Sequence, residues 1–140
     1  IRNEIGTLIV GYNTTFQHSS DLGRQMNQVF VGIPFGILRR KLKYLCEMNG
    51  IRYVEQEESY TSMASFWDLD EMPVYGEAGL VPPVFSGRRI CRGLYQDRSG
   101  RRINADVNGA LNIMRKCNIV SLRALYDRGD VDTPVRIRIA

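Results

Sequence analysis

One hundred and forty residues, 44% hydrophobic and 24% charged, suffice for one buried core and exclude a disordered chain. Nineteen Lys and Arg against fifteen Asp and Glu leave a net charge of +4, with a pI near 9.2, a balance that leans towards a nucleic-acid partner. No apolar run reaches a membrane span and no signal peptide opens the chain. The cysteines, Cys46, Cys91 and Cys117, are odd in number and form no Cys-x-x-Cys pair, which argues against a disulfide framework and for a reducing, cytoplasmic compartment.

Because the chain starts directly in a strand-like pattern at Ile1, it reads as part of a longer protein. Ile5 to Val10 is a short apolar, β-branched run closed by Gly11, the pattern of a buried parallel strand. The polar stretch from Tyr12 to Gly23 holds the one histidine, His18, which has the setting of a solvated side chain. Residues 24–32 leave two readings open, with Arg24 and its amide neighbours either facing a nucleic-acid backbone or simply solvated. Pro34 then suits the first turn of a helix. Phe35, Leu38, Leu42 and Leu45 form its apolar stripe, and Gly50 ends it. Arg39, Arg40, Lys41 and Lys43 cover the remaining surface, as a solvated or a phosphate-contacting face.

Ile51 to Gln56 predicts a second strand, parallel to the first because a helix joins them. It runs out in Glu55, Gln56, Glu57 and Glu58. Carboxylates at the C-terminal end of a parallel strand stand where α/β sheets hold ligands, although a charged strand exit also keeps an edge soluble. Residues 61–103 are rich in Pro and Gly and read as irregular. Their second half carries Arg88, Arg89, Arg92, Arg98, Arg101 and Arg102, interleaved with Phe85 and Tyr95. Arginines alternating with aromatic rings can bind phosphates and stack on bases, and an arginine-rich packing loop is the rival reading.

The segment from Ile103 to Ile113 places Asp106 at the head of a helix. Ala110, Ile113 and Cys117 follow at helical spacing and predict an inward face, with Gly109 and Ala110 allowing a close backbone approach. Asp106 is then either an N-cap or a fixed carboxylate suited to a metal ion. Beyond Lys116, Leu122, Leu125 and Tyr126 predict one more helical turn, and Gly129 to Ala140 a tail with a β-like stretch from Val135 to Ile139.

Three of these segments carry a family resemblance. Asp106-Val107-Asn108-Gly109-Ala110-Leu111-Asn112-Ile113 resembles the Asp-x-Asn-Ala-Ala-x-Asn-Ile segment that closes the RuvC-like nuclease domain of TnpB (OrfB) proteins. Those proteins are encoded by insertion sequences and are similar to the type V CRISPR effectors. Tyr60-Thr61-Ser62 resembles the family's Tyr-Thr-Ser-Lys, and Ile33-Pro34 opens the amphipathic helix in the matching order. The resemblance implies an α/β fold, the C-terminal portion of an RNase H-like (RuvC) domain with an irregular, zinc-ribbon-derived insertion. Residues 1–60 would be the strand-helix-strand half, 61–103 the nucleic-acid-binding insertion, 104–117 the final RuvC-like helix and 118–140 the tail. It further implies transposon-associated, RNA-guided DNA cleavage, with DNA and guide RNA as partners and two Mg (or Mn) ions as cofactors.

The sequence departs from that pattern twice. Relatives carry two Cys-x-x-Cys pairs in the insertion; here Ser65 and Asp68 fill the first, and only Cys91, beside Arg92 and Tyr95, stands near the second. No zinc is expected, and Phe66, Trp67, Tyr75 and Phe85 are expected to hold the loop. The family's first catalytic Asp would lie upstream of Ile1, and its Glu would follow Val10, where Gly11, Tyr12 and Asn13 stand instead. Asp106 is the acid carried over, with Asn108 a candidate to orient it. Because neighbouring parallel strands lie about 4.8 Å apart, Glu57 or Glu58 is expected to take the missing catalytic and metal-binding place. The chain alone is then expected to be inactive. The rival is a nuclease-derived DNA- or RNA-binding module without chemistry. An α/β enzyme acting on a small phosphate ester through Asp106 and Glu58 ranks last, for want of a phosphate-cradling glycine loop.

Overall fold

The computed structural model describes residues 5–13, 34–74 and 83–128; His18, Arg24, Ile33, Tyr75 and the tail after Arg128 lie outside them. The chain divides into two compact units, Ile1–Gln56 and Glu57–Ala140.

In the first unit, β1 (Thr7–Tyr12) and β2 (Arg52–Glu57, ending at the boundary) pair as a two-stranded sheet, joined through helix α1 (Phe35–Met48). The Arg52 amide donates to the Gly6 carbonyl at 2.9 Å. That bond sets the beginnings of both strands side by side, as the expected parallel pairing requires. Both strands are half-buried rather than buried, since two strands cover little of each other's faces.

Helix α1 ends as its sequence requires. Gly50 adopts φ +66°, and the amides of Asn49 and Ile51 both donate to the Cys46 carbonyl. Its inward line differs from the leucine stripe: Cys46 is buried, while Leu38 and Leu45 are 49% and 53% exposed. Phe35, Arg39 and Leu42 are half-buried and complete the covered side. The arginine takes a place meant for a leucine because its stem is apolar and its head finds partners. The guanidinium lies 5.6 Å from the centre of the Tyr12 ring and 3.4 Å from a Glu55 carboxylate oxygen.

The second unit opens with turns from Ser59 to Leu69 and then departs from the irregular structure expected through residue 103. Strands β3 (Arg88–Cys91), β4 (Leu94–Gln96) and β5 (Arg102–Asn104) form an antiparallel sheet in the order β3-β4-β5. Each strand is three or four residues long and mostly polar, too short for alternation to be read in sequence. Gly93 and Gly100, at φ +80° and +90°, close the two hairpins. Helix α2 (Ala105–Cys117) follows β5 without a linker, and α3 (Arg123–Arg128) forms the additional helical turn predicted there.

The core of this unit gathers Phe66, Tyr95, Ile103, Ala105, Leu111 and Leu122. Tyr126 lies parallel on Phe66, ring centres 4.7 Å apart, and Trp67 meets both edge-on. Among the described residues no helix is long and apolar enough to cross a membrane.

Candidate nucleic-acid interface

The head of α2 is capped by Asn104, not by Asp106. The Asn104 side chain accepts from the amides of Asp106 (2.9 Å) and Val107 (3.1 Å). Asp106 is thus exposed in the first turn, and no side chain among the described residues bonds its carboxylate. The helix buries Ala105, Asn108, Leu111 and Asn112. This face differs from the expected one: Ala110 is exposed, Ile113 and Cys117 are half-buried, and no close approach is made at Gly109.

Two asparagines one turn apart explain the change of face. Asn108 does not orient Asp106. Its Oδ1 accepts from the Phe66 amide at 3.1 Å and its Nδ2 donates to the Ala64 carbonyl at 2.9 Å. Asn112 donates to the carbonyls of Thr61 (2.9 Å) and Ala64 (2.7 Å). The segment after Tyr60 has turns but no ladder, so its buried backbone groups need side-chain partners. The i, i+4 amide pair on α2 supplies them, and this signal was present in the sequence.

The expected acids have separate roles. Glu57 accepts from Lys116 Nζ at 2.6 Å and from the Ser59 amide at 2.5 Å. Burial alone would raise its pKa, but these donors hold it below the usual carboxylate value. Glu58 is pushed the other way, by burial and by the charge of Glu57. Among the described residues no three His, Cys, Asp or Glu side chains converge to hold a metal ion. Asp106 with Glu57 or Glu58 stays the expected acid set, to be completed by an acid from outside these three.

Where relatives were expected to place thiolates, this chain has a carboxylate network. Asp70 Oδ2 accepts from the amides of Ser65 (2.8 Å) and Ser86 (2.9 Å), and its Oδ1 from the Ser86 hydroxyl (2.6 Å). Asp68 accepts from the Arg98 amide at 3.0 Å, and Arg98 donates through its guanidinium to Ser86 Oγ at 2.7 Å. One carboxylate thereby ties the 65–70 turn to the strand lead-in at Ser86. Phe85 contributes a tilted contact with Tyr60, ring centres 5.8 Å apart.

Burial tends to raise the Asp70 pKa, but the Ser86 hydroxyl and the two amides outweigh it and hold the carboxyl below its usual 3.8. A depressed folded pKa stabilises fully above the unfolded value and is lost as pH falls through the folded one. Thermal unfolding should therefore show a drop in Tm below about pH 4 that is shallower in Asp70→Asn. An identical acid limb in the two proteins would contradict the assignment.

The arginines lie around the small sheet. Arg88, Arg89, Arg92, Arg98, Arg101 and Arg102 are all exposed. Register sets Arg88, Gln96 and Arg102 side by side across the three strands, so two arginines flank one glutamine about 10 Å apart. The alternate row, Arg89, Tyr95 and Ile103, carries the core. Tyr95 is only 1% exposed, with its hydroxyl donating to the Met63 carbonyl at 2.8 Å and burial raising its pKa to about 12. It is a core residue and not the base-stacking ring expected. Arg101 covers the Trp67 indole, its guanidinium carbon 4.5 Å from the ring centre.

Gly87 brings the lead-in to β3 against β4: a Cβ there would stand 2.6 Å from the Gln96 carbonyl oxygen and from the Tyr95 ring. Gly87→Ala should cost about 1–3 kcal/mol, measured by denaturant unfolding, because a backbone atom has to move. A neutral effect would show that this approach is not tight.

These observations define a small α/β protein whose second unit turns arginines outward and holds Glu57, Asp68, Asp70 and Asp97 on backbone amides. Residues 35–113, more than half the chain, match the family model described as Cas12f1-like, TNB domain, and the chain belongs to that family. It is thereby a relative of the TnpB/Cas12-type, RNA-guided nucleases. No curated protein and no solved structure matches it.

Proposed function

We propose that this chain is a nucleic-acid-holding part of a TnpB-type, RNA-guided DNA endonuclease, and that the second unit grips the strand. The observation that carries this reading is the separation of charge in that unit. Six arginines are exposed around one three-stranded sheet, while Asp68, Asp70 and Asp97 accept bonds from neighbouring amides. A positive surface of this kind attracts polyphosphate through Coulomb steering and counterion release.

The Cas12f1-like family supports DNA and guide RNA as the partners. Asp106, exposed and unbonded among the described residues, is the acid this chain offers to a divalent ion such as Mg. The engagement of Glu57 by Lys116 and the Ser59 amide favours binding over catalysis for the chain by itself.

Fluorescence anisotropy with labelled single-stranded DNA and RNA of equal sequence tests the proposal. Binding should be measurable at 50 mM salt and fall steeply as salt rises, with a slope of roughly −0.7 for each phosphate neutralised. No binding to either strand at low salt overturns it.

A further inference from the structure

Beyond this general reading, and resting on it, the described residues form a cleft beside the small sheet. It lies between the lead-in to β3 and the β4–β5 turn, is open to solvent with a volume of about 580 Å³, and is lined by Phe85, Ser86, Arg88, Gln96, Arg98 and Ser99 among others. The volume falls within the range of small-ligand pockets. We propose that this cleft seats one phosphodiester of a bound nucleic-acid strand between Arg88 and Arg98, with Phe85 beside the adjoining base.

Three features make the cleft a binding site and not merely a basic surface. First, Arg98 is held at both ends: its amide donates to Asp68 at 3.0 Å and its guanidinium to Ser86 Oγ at 2.7 Å. A fixed guanidinium loses little freedom when an anion arrives, and its remaining N–H groups suit phosphate oxygens. Second, Arg88 stands on the opposite wall, and nothing among the described residues bonds its guanidinium. Gln96 lies directly across the ladder from it; its Nε2 donates one N–H to the Gly100 carbonyl at 3.1 Å and has a second N–H to offer.

Third, the acid that lines the cleft faces local donors. Asp97 is 8% exposed, and its Oδ1 accepts from Ser99 Oγ and the Arg101 amide, each at 2.8 Å. Its charge is thus turned into the hairpin that Gly100 closes, which leaves the two guanidiniums dominant at the mouth. An aromatic ring beside a phosphate site is the arrangement by which single-strand binders combine charge with stacking.

The test is anisotropy titration of the whole chain against labelled dT15 and rU15 across a salt series. Arg88→Gln and Arg98→Gln should each weaken binding roughly tenfold and reduce the salt slope by about 0.7, one phosphate's worth for a single strand. Phe85→Ala should weaken binding without changing the slope. Arg98→Lys, which keeps a charge and a donor for Ser86, should restore most of the affinity and separates charge loss from a folding defect. The strand that suffers the larger loss identifies whether DNA or RNA occupies the cleft. Wild-type slopes in both glutamine variants, with binding intact, overturn this subsite alone. Absence of binding by the wild-type chain overturns the broader reading as well.

Discussion

Replacing Asn108 with alanine should destabilise the second unit by about 2–4 kcal/mol. Asn108 is fully buried and satisfies both the Phe66 amide and the Ala64 carbonyl. Removing it leaves the buried Phe66 amide without a partner, a desolvation penalty of about 1–3 kcal/mol, and takes one of two donors from the Ala64 carbonyl, which keeps Asn112. Asn108→Asp separates geometry from chemistry, because a carboxylate can still accept from Phe66 but cannot donate to Ala64. Chemical denaturation should place both variants below wild type, because each loses the bond to the Ala64 carbonyl. An alanine variant within about 0.5 kcal/mol of wild type would show that the asparagine clasp does not hold the turn.

Lys116→Met should have a comparable effect by a different route. The Lys116 and Glu57 side chains are only 11% and 21% exposed, and the ammonium also donates to the carbonyls of Ser59 and Pro73. Deleting the cation leaves Glu57 charged in a part-buried setting beside Glu58, for which a cost of about 2–4 kcal/mol is expected after allowing for remaining solvent contact. The pH dependence fixes the cause. The Glu57 pKa is depressed in the folded protein, so its contribution is complete above its usual value of 4.5 and is lost as pH falls through the folded one. The gap between wild type and variant should therefore narrow in acid, once Glu57 is protonated in both. A gap that stays constant down to pH 3 would place the effect in lost packing of the lysine stem.

Much of this architecture was legible where sequence signals are local. Gly50 ended α1 because a left-handed residue was needed there, and the Ile51 run formed a strand beside β1. The span of α2 followed from its apolar spacing and the absence of breakers. The misread features depend on partners distant in sequence. Tyr95 sits among arginines and looked like a surface ring, but the register with Ile103 turns it inward to reach Met63. The buried face of α2 was misjudged because asparagines were counted as polar, whereas here they serve the unladdered backbone after Tyr60. Asp70 drew no notice at all, since a lone acid in a proline- and glycine-rich stretch carries no periodicity to mark it as a tie.

The direct passage from β5 into α2 has a mechanical consequence. Arg102 opens the strand, Asn104 both ends it and caps the helix, and Asp106 lies in the first helical turn. There is no slack in those five residues. With no loop between strand and helix, the place of Arg102 on the sheet and the place of Asp106 on α2 are set together, and neither can be repositioned without disturbing the Asn104 cap.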